Sequence, residues 1–242
     1  MNIIGLTKEQ ILGLNPRDIR ISLQPEDILY IAEILGAHLK VNPQAKYHPK
    51  LKSGMHAGEF WNSGAFLQYK NIRTIIAYQV ACKFNREWGR AMGPDSIAGI
   101  PRGATKLGKD MAKILEIRHV SMIKEDGHIK MESSINTTEI IVLVDDICTE
   151  GTAFKETVKE IKSENPTSVI LPYAIYVLNL GCLEYIQVEL NGEIREFQII
   201  ALANYPVTHW KPEDCPFCKA GSLAVKPNET EEIWQEFIAQ CS

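Results

Sequence analysis

Two adjacent acids, Asp145 and Asp146, are followed by Ile147-Cys148 and then by Thr149-Glu150-Gly151-Thr152-Ala153. Carboxylates accept hydrogen bonds, and a neighbouring pair suits the vicinal hydroxyls of a sugar. They repel phosphate. The residues after them do the opposite. A polar loop with a glycine, opening a helix, offers backbone N–H groups and the positive end of a helix dipole to an anion. The residues alone therefore point to a sugar phosphate, with hydroxyls on Asp145 and Asp146 and phosphate on 149–152. The elements that must position this loop flank it directly. Ile140-Ile-Val-Leu-Val144 is an apolar, mostly β-branched run that suits a strand buried on both faces of a parallel sheet. Residues 154–163 read as a helix. In open α/β sheets the ligand crevice lies at the carboxyl ends of the strands, which is where the acids fall.

The chain has 242 residues, 45% of them apolar and 23% charged, as in a soluble globular protein with a sizeable core. Net charge is −4, so no global positive field recruits nucleic acid or an anionic membrane surface. The opening residues have neither the basic start nor the apolar run of a signal peptide, and no window reaches membrane-spanning length. The six cysteines are mostly scattered, unlike a small disulfide framework, and a reducing cytoplasm is the expected location.

Thr7 and Gln10 can form a capping box for a short helix, and Pro25 opens an amphipathic helix over 25–40. Residues 41–62 read as loop and short strands. A long helix is expected over 71–92, with Ile72, Ile75, Ile76, Gln79, Val80 and Lys83 on its core side and edge. A strand at 96–100 leads through Pro101-Arg102-Gly103-Ala104 into a further helix. That is a second strand–loop–helix turn able to hold an anion. Residues 124–138 form a polar stretch, either a lid or a surface hairpin. A strand at 168–178 contains Pro172, which suggests a bulge or a sheet edge. Asn191-Gly192 between two alternating runs predicts a hairpin. Residues 228–240 read as a closing helix with Asn228 as its cap. Cys215-Pro-Phe-Cys218 is half of a zinc knuckle. Zinc is one reading, with His209, Cys182 or Cys241 able to complete a site, and structural or redox-labile cysteines are the other.

The stretch from Ile140 to Ala153 closely resembles the phosphoribosyl-pyrophosphate signature of type I phosphoribosyltransferases: apolar strand, two acids, two residues, Thr-x-Gly-Thr. Leu51-Lys52-Ser53-Gly54 followed by Phe60-Trp61 is similar to the N-terminal hood of the orotate enzymes of that family. The resemblance implies an α/β fold, a parallel sheet flanked by helices with a hood at 1–66, a core at 67–205, and a Cys-x-x-Cys tail and helix at 206–242. It implies transfer of phosphoribose from phosphoribosyl pyrophosphate (PRPP) to a base, orotate first, with release of pyrophosphate. Another purine or pyrimidine base, or a non-catalytic PRPP-binding regulator, is the alternative. Asp145 and Asp146 would hold the ribose. Thr149, Glu150, Gly151, Thr152 and Ala153 would hold the 5′-phosphate, with the Glu150 carboxylate pointing away. Arg102 and Gly103 would wrap the pyrophosphate and Lys52 would reach phosphate. Phe60 or Trp61 would stack on the base, and Lys124 and His128 would sit on a mobile catalytic loop. Mg²⁺ would arrive with the substrate, with Asp146 as a contact, and the protein would be a homodimer. The chain departs from the orotate pattern at Met55, at Gly58-Glu59, in its polar stretch, and at Leu178-Asn179-Leu180-Gly181, where no arginine stands.

Overall fold

A computed structural model describes residues 2–19, 21–51, 53–89 and 93–241. In chain order the first half holds α1 (Lys8–Leu12), α2 (Pro25–Ile34), β1 (His38–Lys40), β2 (Tyr47–Pro49), β3 (His56–Ala57), β4 (Glu59–Trp61), α3 (Gly64–Leu67) and α4 (Lys70–Trp88). Then come β5 (Ser96–Gly99), α5 (Thr105–Leu115), β6 (Arg118–Val120), β7 (Met122–Glu125), β8 (His128–Met131), β9 (Ile140–Cys148) and α6 (Thr152–Glu164). The chain ends with β10 (Val169–Asn179), β11 (Tyr185–Leu190), β12 (Glu193–Asn204), β13 (His209–Trp210), α7 (Pro216–Lys219), β14 (Leu223–Val225) and α8 (Glu231–Ala239).

These elements divide into two compact units, Met1–Ile31 with Leu67–Tyr205, and Ala32–Phe66 with Pro206–Ser242. The expected three-part division is corrected on two points. The first 31 residues belong with the core because side-chain amides of α4 satisfy their backbone. Asn71 donates to the carbonyls of Leu12 and Leu14, and the buried Gln79 accepts from Leu23 N–H and donates to Ile21 C=O. The hood and the tail are one unit because they pair as strands: β13 with β3, and β14 with β2 in parallel.

The larger unit is built on a six-stranded sheet in the order β11-β12-β10-β9-β5-β6. All its pairs are parallel except the β11–β12 hairpin at one edge. That hairpin turns at Asn191 and Gly192, both with positive φ (53° and 82°), as a two-residue turn of this type requires. β9 is buried from Ile141 to Asp145. Because side chains alternate across a strand, Ile141 and Leu143 face one side and Val142 and Val144 the other, so both faces are covered. On the Ile141 side lie Phe154, Val158 and Ile161 of α6, with Tyr176, Phe197 and Ile129. Pro172 falls at a bulge rather than an edge. β10 carries extra residues there, since Ile170 and Ala174 face Ile141 and Leu143 of β9. Among the described residues no helix is long and apolar enough to cross a membrane. The closing helix starts later than its pattern suggested. Thr230, not Asn228, is the cap, its hydroxyl accepting from Ile233 N–H.

Phe154 is fully buried and meets Phe197 edge-on with ring centroids 5.1 Å apart. Phe154→Ala is expected to lower unfolding stability by about 3–5 kcal/mol through lost transfer energy and the cavity left behind. Urea unfolding followed by circular dichroism checks it, and a loss under about 1 kcal/mol would mean the side of the sheet under α6 is not packed as described.

Candidate active site

The strand order fixes where a ligand can sit. From β5 the chain moves outward to β6, then crosses back to place β9 on the other side of β5. The order therefore reverses between β5 and β9, and a crevice opens at the carboxyl ends of those two neighbours. The two loops singled out in the sequence follow these two strands. Gly99 pairs with Val144, and Ile100 N–H donates to the Val144 carbonyl at 2.9 Å. The Arg102 turn and the Asp145-Asp146 pair are thereby set side by side.

Their approach is close. A Cβ built on Gly103 would lie 1.9 Å from Asp146 Oδ2, so only glycine lets this backbone lie against that carboxylate. Arg102 and Gly103 are exposed, and the peptide bond between Pro101 and Arg102 is cis. Gly99 and Gly108 are matched in the same way. A Cβ on Gly108 would fall 2.6 Å from Gly99 Cα, which lets α5 start tight against β5.

The acids lie inside β9, which runs on to Cys148, rather than beyond its end. Alternation sends them to opposite faces. Asp146 is half-buried and turns toward Gly103. Asp145 is 7% exposed and shares its face with Tyr176, its partner in register on β10. Burial first, and then the Asp145 charge, hold the Tyr176 phenol well above its ordinary pKa, so it stays protonated. Each acid accepts the next residue's N–H, Asp146 N–H on Asp145 Oδ1 at 2.9 Å and Ile147 N–H on Asp146 Oδ1 at 2.8 Å. The strand thus fixes both carboxylates before any ligand arrives. Burial pushes the Cys148 thiol up to about 12, so it is no nucleophile.

Beyond Cys148 the loop turns into α6 through Gly151, whose φ of 68° lies in the left-handed region. Ile186 fills the space beside it, 2.5 Å from where a Cβ would stand. Thr149 is half-buried, Glu150 and Thr152 are exposed, and Ala153 is half-buried. The N–H groups of the first turn of α6 have no partner within the helix, an arrangement that can receive an anion.

Other expected site residues lie elsewhere. Lys52 falls outside the described residues. Phe60 and Trp61 do not offer a base-stacking surface. Trp61 is 6% exposed and stacks on His38 at 4.1 Å, and the half-buried Phe60 meets Trp234 and Phe237 edge-on. The stretch expected as a mobile catalytic loop is, over Met122 to Met131, the β7–β8 hairpin. Buried Met122 and Ile129 anchor it, and Met131 N–H bonds to Glu160 of α6. On it Lys124 sits 3.9 Å from Glu156, Lys130 pairs with Glu125 at 2.6 Å, and His128 is exposed. Cys215 and Cys218 come together not with His209, Cys182 or Cys241 but with His48 and His56 of the hood. The signal missed in the sequence is two histidines bracketing the Leu51–Gly54 turn. Burial first, and then the charge of His56, push the His48 imidazole down to about 4, and His56 is lowered too, so both rings are neutral.

Residues 68–178 match the family described as phosphoribosyl transferase domain. That span contains β5, β9 and both loops of the crevice. Its relatives narrow the comparison. The orotate phosphoribosyltransferase of Pelotomaculum thermopropionicum is 24% identical over 81% of this chain and 95% of its own length. The crystal structure of orotate phosphoribosyltransferase from Aeropyrum pernix superposes with a TM-score of 0.53 at 14% identity, covering 73% of this chain and 93% of that one. Adenine phosphoribosyltransferase from Saccharomyces cerevisiae does so with a TM-score of 0.50 at 14% identity, covering 71% and 98%. The two structures share the fold with this chain.

Gly103→Val should push the Arg102 turn off Asp146 and weaken binding of inorganic pyrophosphate about tenfold or more, a little over 1 kcal/mol. Gly93→Ala, where a Cβ meets nothing within 4 Å, should leave it unchanged. Calorimetry on the two variants reads the difference, and equal affinities would disconnect the turn from the anion site.

Proposed function

We propose that this protein moves the phosphoribosyl group of PRPP to orotate and releases pyrophosphate. The observation that carries the proposal is the contact of the Gly99–Ala104 turn with the Asp146 carboxylate at the reversal point of the sheet. One loop suits a diphosphate, the other a ribose 5-phosphate, and PRPP joins the two. Orotate is favoured by the relatives, whose names specify it over most of this chain's length.

In the reaction a ring nitrogen of the base bonds to C1 of the ribose. The bond from C1 to the pyrophosphate oxygen breaks, and its electron pair leaves with pyrophosphate. The base gives up the proton of that nitrogen. No protein nucleophile is required. The chain's task is to hold C1 in line between base and leaving group and to favour the charge that develops on the latter. The α6 N-terminus and the loop at 149–152 anchor the 5′-phosphate. Asp146, with Asp145 behind it, accepts from the ribose hydroxyls. The backbone N–H groups of the Arg102 turn and its guanidinium meet the departing diphosphate. Mg²⁺ belongs to the proposal as well. The half-buried Asp146 carboxylate beside Gly103 is an oxygen donor that fits a hard cation, and it would be the protein's contact to the ion. When bound, the ion would neutralise diphosphate charge. The family resemblance adds a homodimer and a cytoplasmic location to the same reading.

A second reading, another base or a PRPP-binding regulator, draws on two observations. Residues 178–181 carry no arginine at the end of β10, and the aromatics of the hood are packed inward. Turnover decides. Wild-type protein with PRPP and Mg²⁺ is expected to release pyrophosphate with orotate and not with uracil or adenine. Asp146→Asn should lower kcat/KM about a hundredfold or more without shifting the unfolding midpoint, as loss of a fixed positioning group does. Removal of Mg²⁺ by EDTA should abolish turnover. Binding of PRPP with no pyrophosphate from any base would make the protein a regulator.

A further inference from the structure

The smaller unit brings four soft or borderline ligands to one point. His48 on β2, His56 on β3, Cys215 and Cys218 place their ligand atoms within 4.8 Å of one another. His48 Nε2 is 3.5 Å from Cys215 Sγ, 3.6 Å from Cys218 Sγ and 3.1 Å from His56 Nδ1. His56 Nδ1 is 3.3 Å from Cys218 Sγ. These four distances match edges of a coordination tetrahedron. With zinc bonds of about 2.3 Å to sulfur and about 2.0–2.1 Å to nitrogen, N and S ligands stand about 3.5–3.6 Å apart and two N ligands about 3.3 Å apart. Four of the six edges thus stand within a few tenths of an ångström of their zinc-bound lengths.

The surroundings support a metal rather than a chance cluster of polar side chains. His48 Nδ1 is 3.0 Å from the buried hydroxyl of Ser222. A ring that donates there presents its Nε2 lone pair to the cluster, the usual way a ligating histidine is oriented from behind. His48, His56 and Cys215 are buried, and Cys218 is half-buried. The unit also needs a staple. It is assembled from two pieces far apart in sequence, roughly seventy residues in all, a size at which a hydrophobic core alone seldom suffices. The apolar cluster around Cys215 is small, with Val41, Phe217 and Phe237 as its buried members. The cluster lies where the pieces meet, since β13 and β14 flank the cysteine pair and join the strands that carry the histidines.

We propose that His48, His56, Cys215 and Cys218 bind one structural Zn²⁺ that fastens the C-terminal tail to the hood strands. Two thiolates and two imidazoles in a tetrahedron select zinc over the oxygen-seeking Mg²⁺ of the phosphate crevice. With all four positions taken by protein, the ion has no open site for water or substrate, so its role is folding rather than chemistry. The proposal is independent of which base the crevice accepts.

Full-length protein purified without chelator is expected to carry one zinc per chain by elemental analysis. Titration of the thiols with a mercurial should release it in step with the modification of Cys215 and Cys218. Cobalt(II) added to metal-stripped protein should give the strong visible bands of a tetrahedral site with a thiolate charge-transfer band. Cys218→Ser should lose that band, whereas Cys182→Ser, outside the cluster, should keep it. Ser222→Ala leaves all four ligands in place and should weaken zinc binding about 10–100-fold, the range for a group that orients a ligand from behind. Were Cys218→Ser to fail to fold, the stoichiometry and the Ser222→Ala affinity would still decide. A chain that holds no zinc and takes up neither added Zn²⁺ nor Co²⁺, a Cys215–Cys218 disulfide in the native protein, or His48→Gln with undiminished zinc affinity would each overturn the assignment.

Discussion

A strand with no water on either face can satisfy its backbone only through neighbours on both edges. β9 is such a strand over Ile141 to Asp145, and β5 and β10 are those neighbours. Much of the larger unit follows from this. The parallel pairing requires crossovers, and the helices that make them supply the apolar cover for both faces. The chain passes through β6 before it returns to lay β9 against β5. The carboxyl ends of these two strands are therefore neighbours while their helices leave from separate loops. The crevice results from that reversal and needs no special sequence of its own. The particular residues of this chain decide what fills it.

Those residues work through close approach more than through charge. Two acids in succession on a strand cannot point at the same atom, and here they do not. Asp145 is turned toward Tyr176 and Asp146 toward Gly103, each braced by the following N–H. The Arg102 turn reaches Asp146 because position 103 has no side chain. The same device recurs at Gly99 against Gly108 and at Gly151 against Ile186. Glycine at these places lets backbone donors come within reach of a ligand that carries several negative charges. A side-chain cation alone would leave much of that charge unmatched.

What could be read in the sequence was what is local. The capping box of Thr7 and Gln10, the Asn191-Gly192 turn, the buried run of β9 and the disturbance at Pro172 each depend on residues within a few positions of one another. The order of the two crevice loops was also legible, through the spacing of a known signature. Long-range partners were not. Nothing in the periodicity of residues 1–31 shows that Gln79 will bind the backbone at Ile21 and Leu23. Nothing near Trp61 shows that His38 will cover its face. The polar stretch after Ile123 reads equally as a lid or a surface hairpin because its charges are conspicuous, whereas Met122 and Ile129, which pin it down as a hairpin, are few.

One departure from the orotate pattern, Gly58, has its cause in the packing of the smaller unit. At Gly58 a Cβ would strike the Phe217 ring at 2.7 Å, and Phe217 stands between the two cysteines of the tail. Its ring also stacks on His48 at 5.5 Å. A bulky residue at position 58 is therefore incompatible with the tail seated on the hood. The tail in turn draws Phe60 into contact with Trp234 and Phe237 of the closing helix region. The aromatic residues that resemble a base platform are thus committed to holding two sequence-distant pieces together. Trp61, buried and already stacked on His38, cannot also stack on a planar ligand. Residues 178–181, at the end of β10 in the larger unit, carry no arginine either. The crevice was shaped by the reversal of a parallel sheet, and the smaller unit by the assembly of two sequence-distant pieces around their own interior.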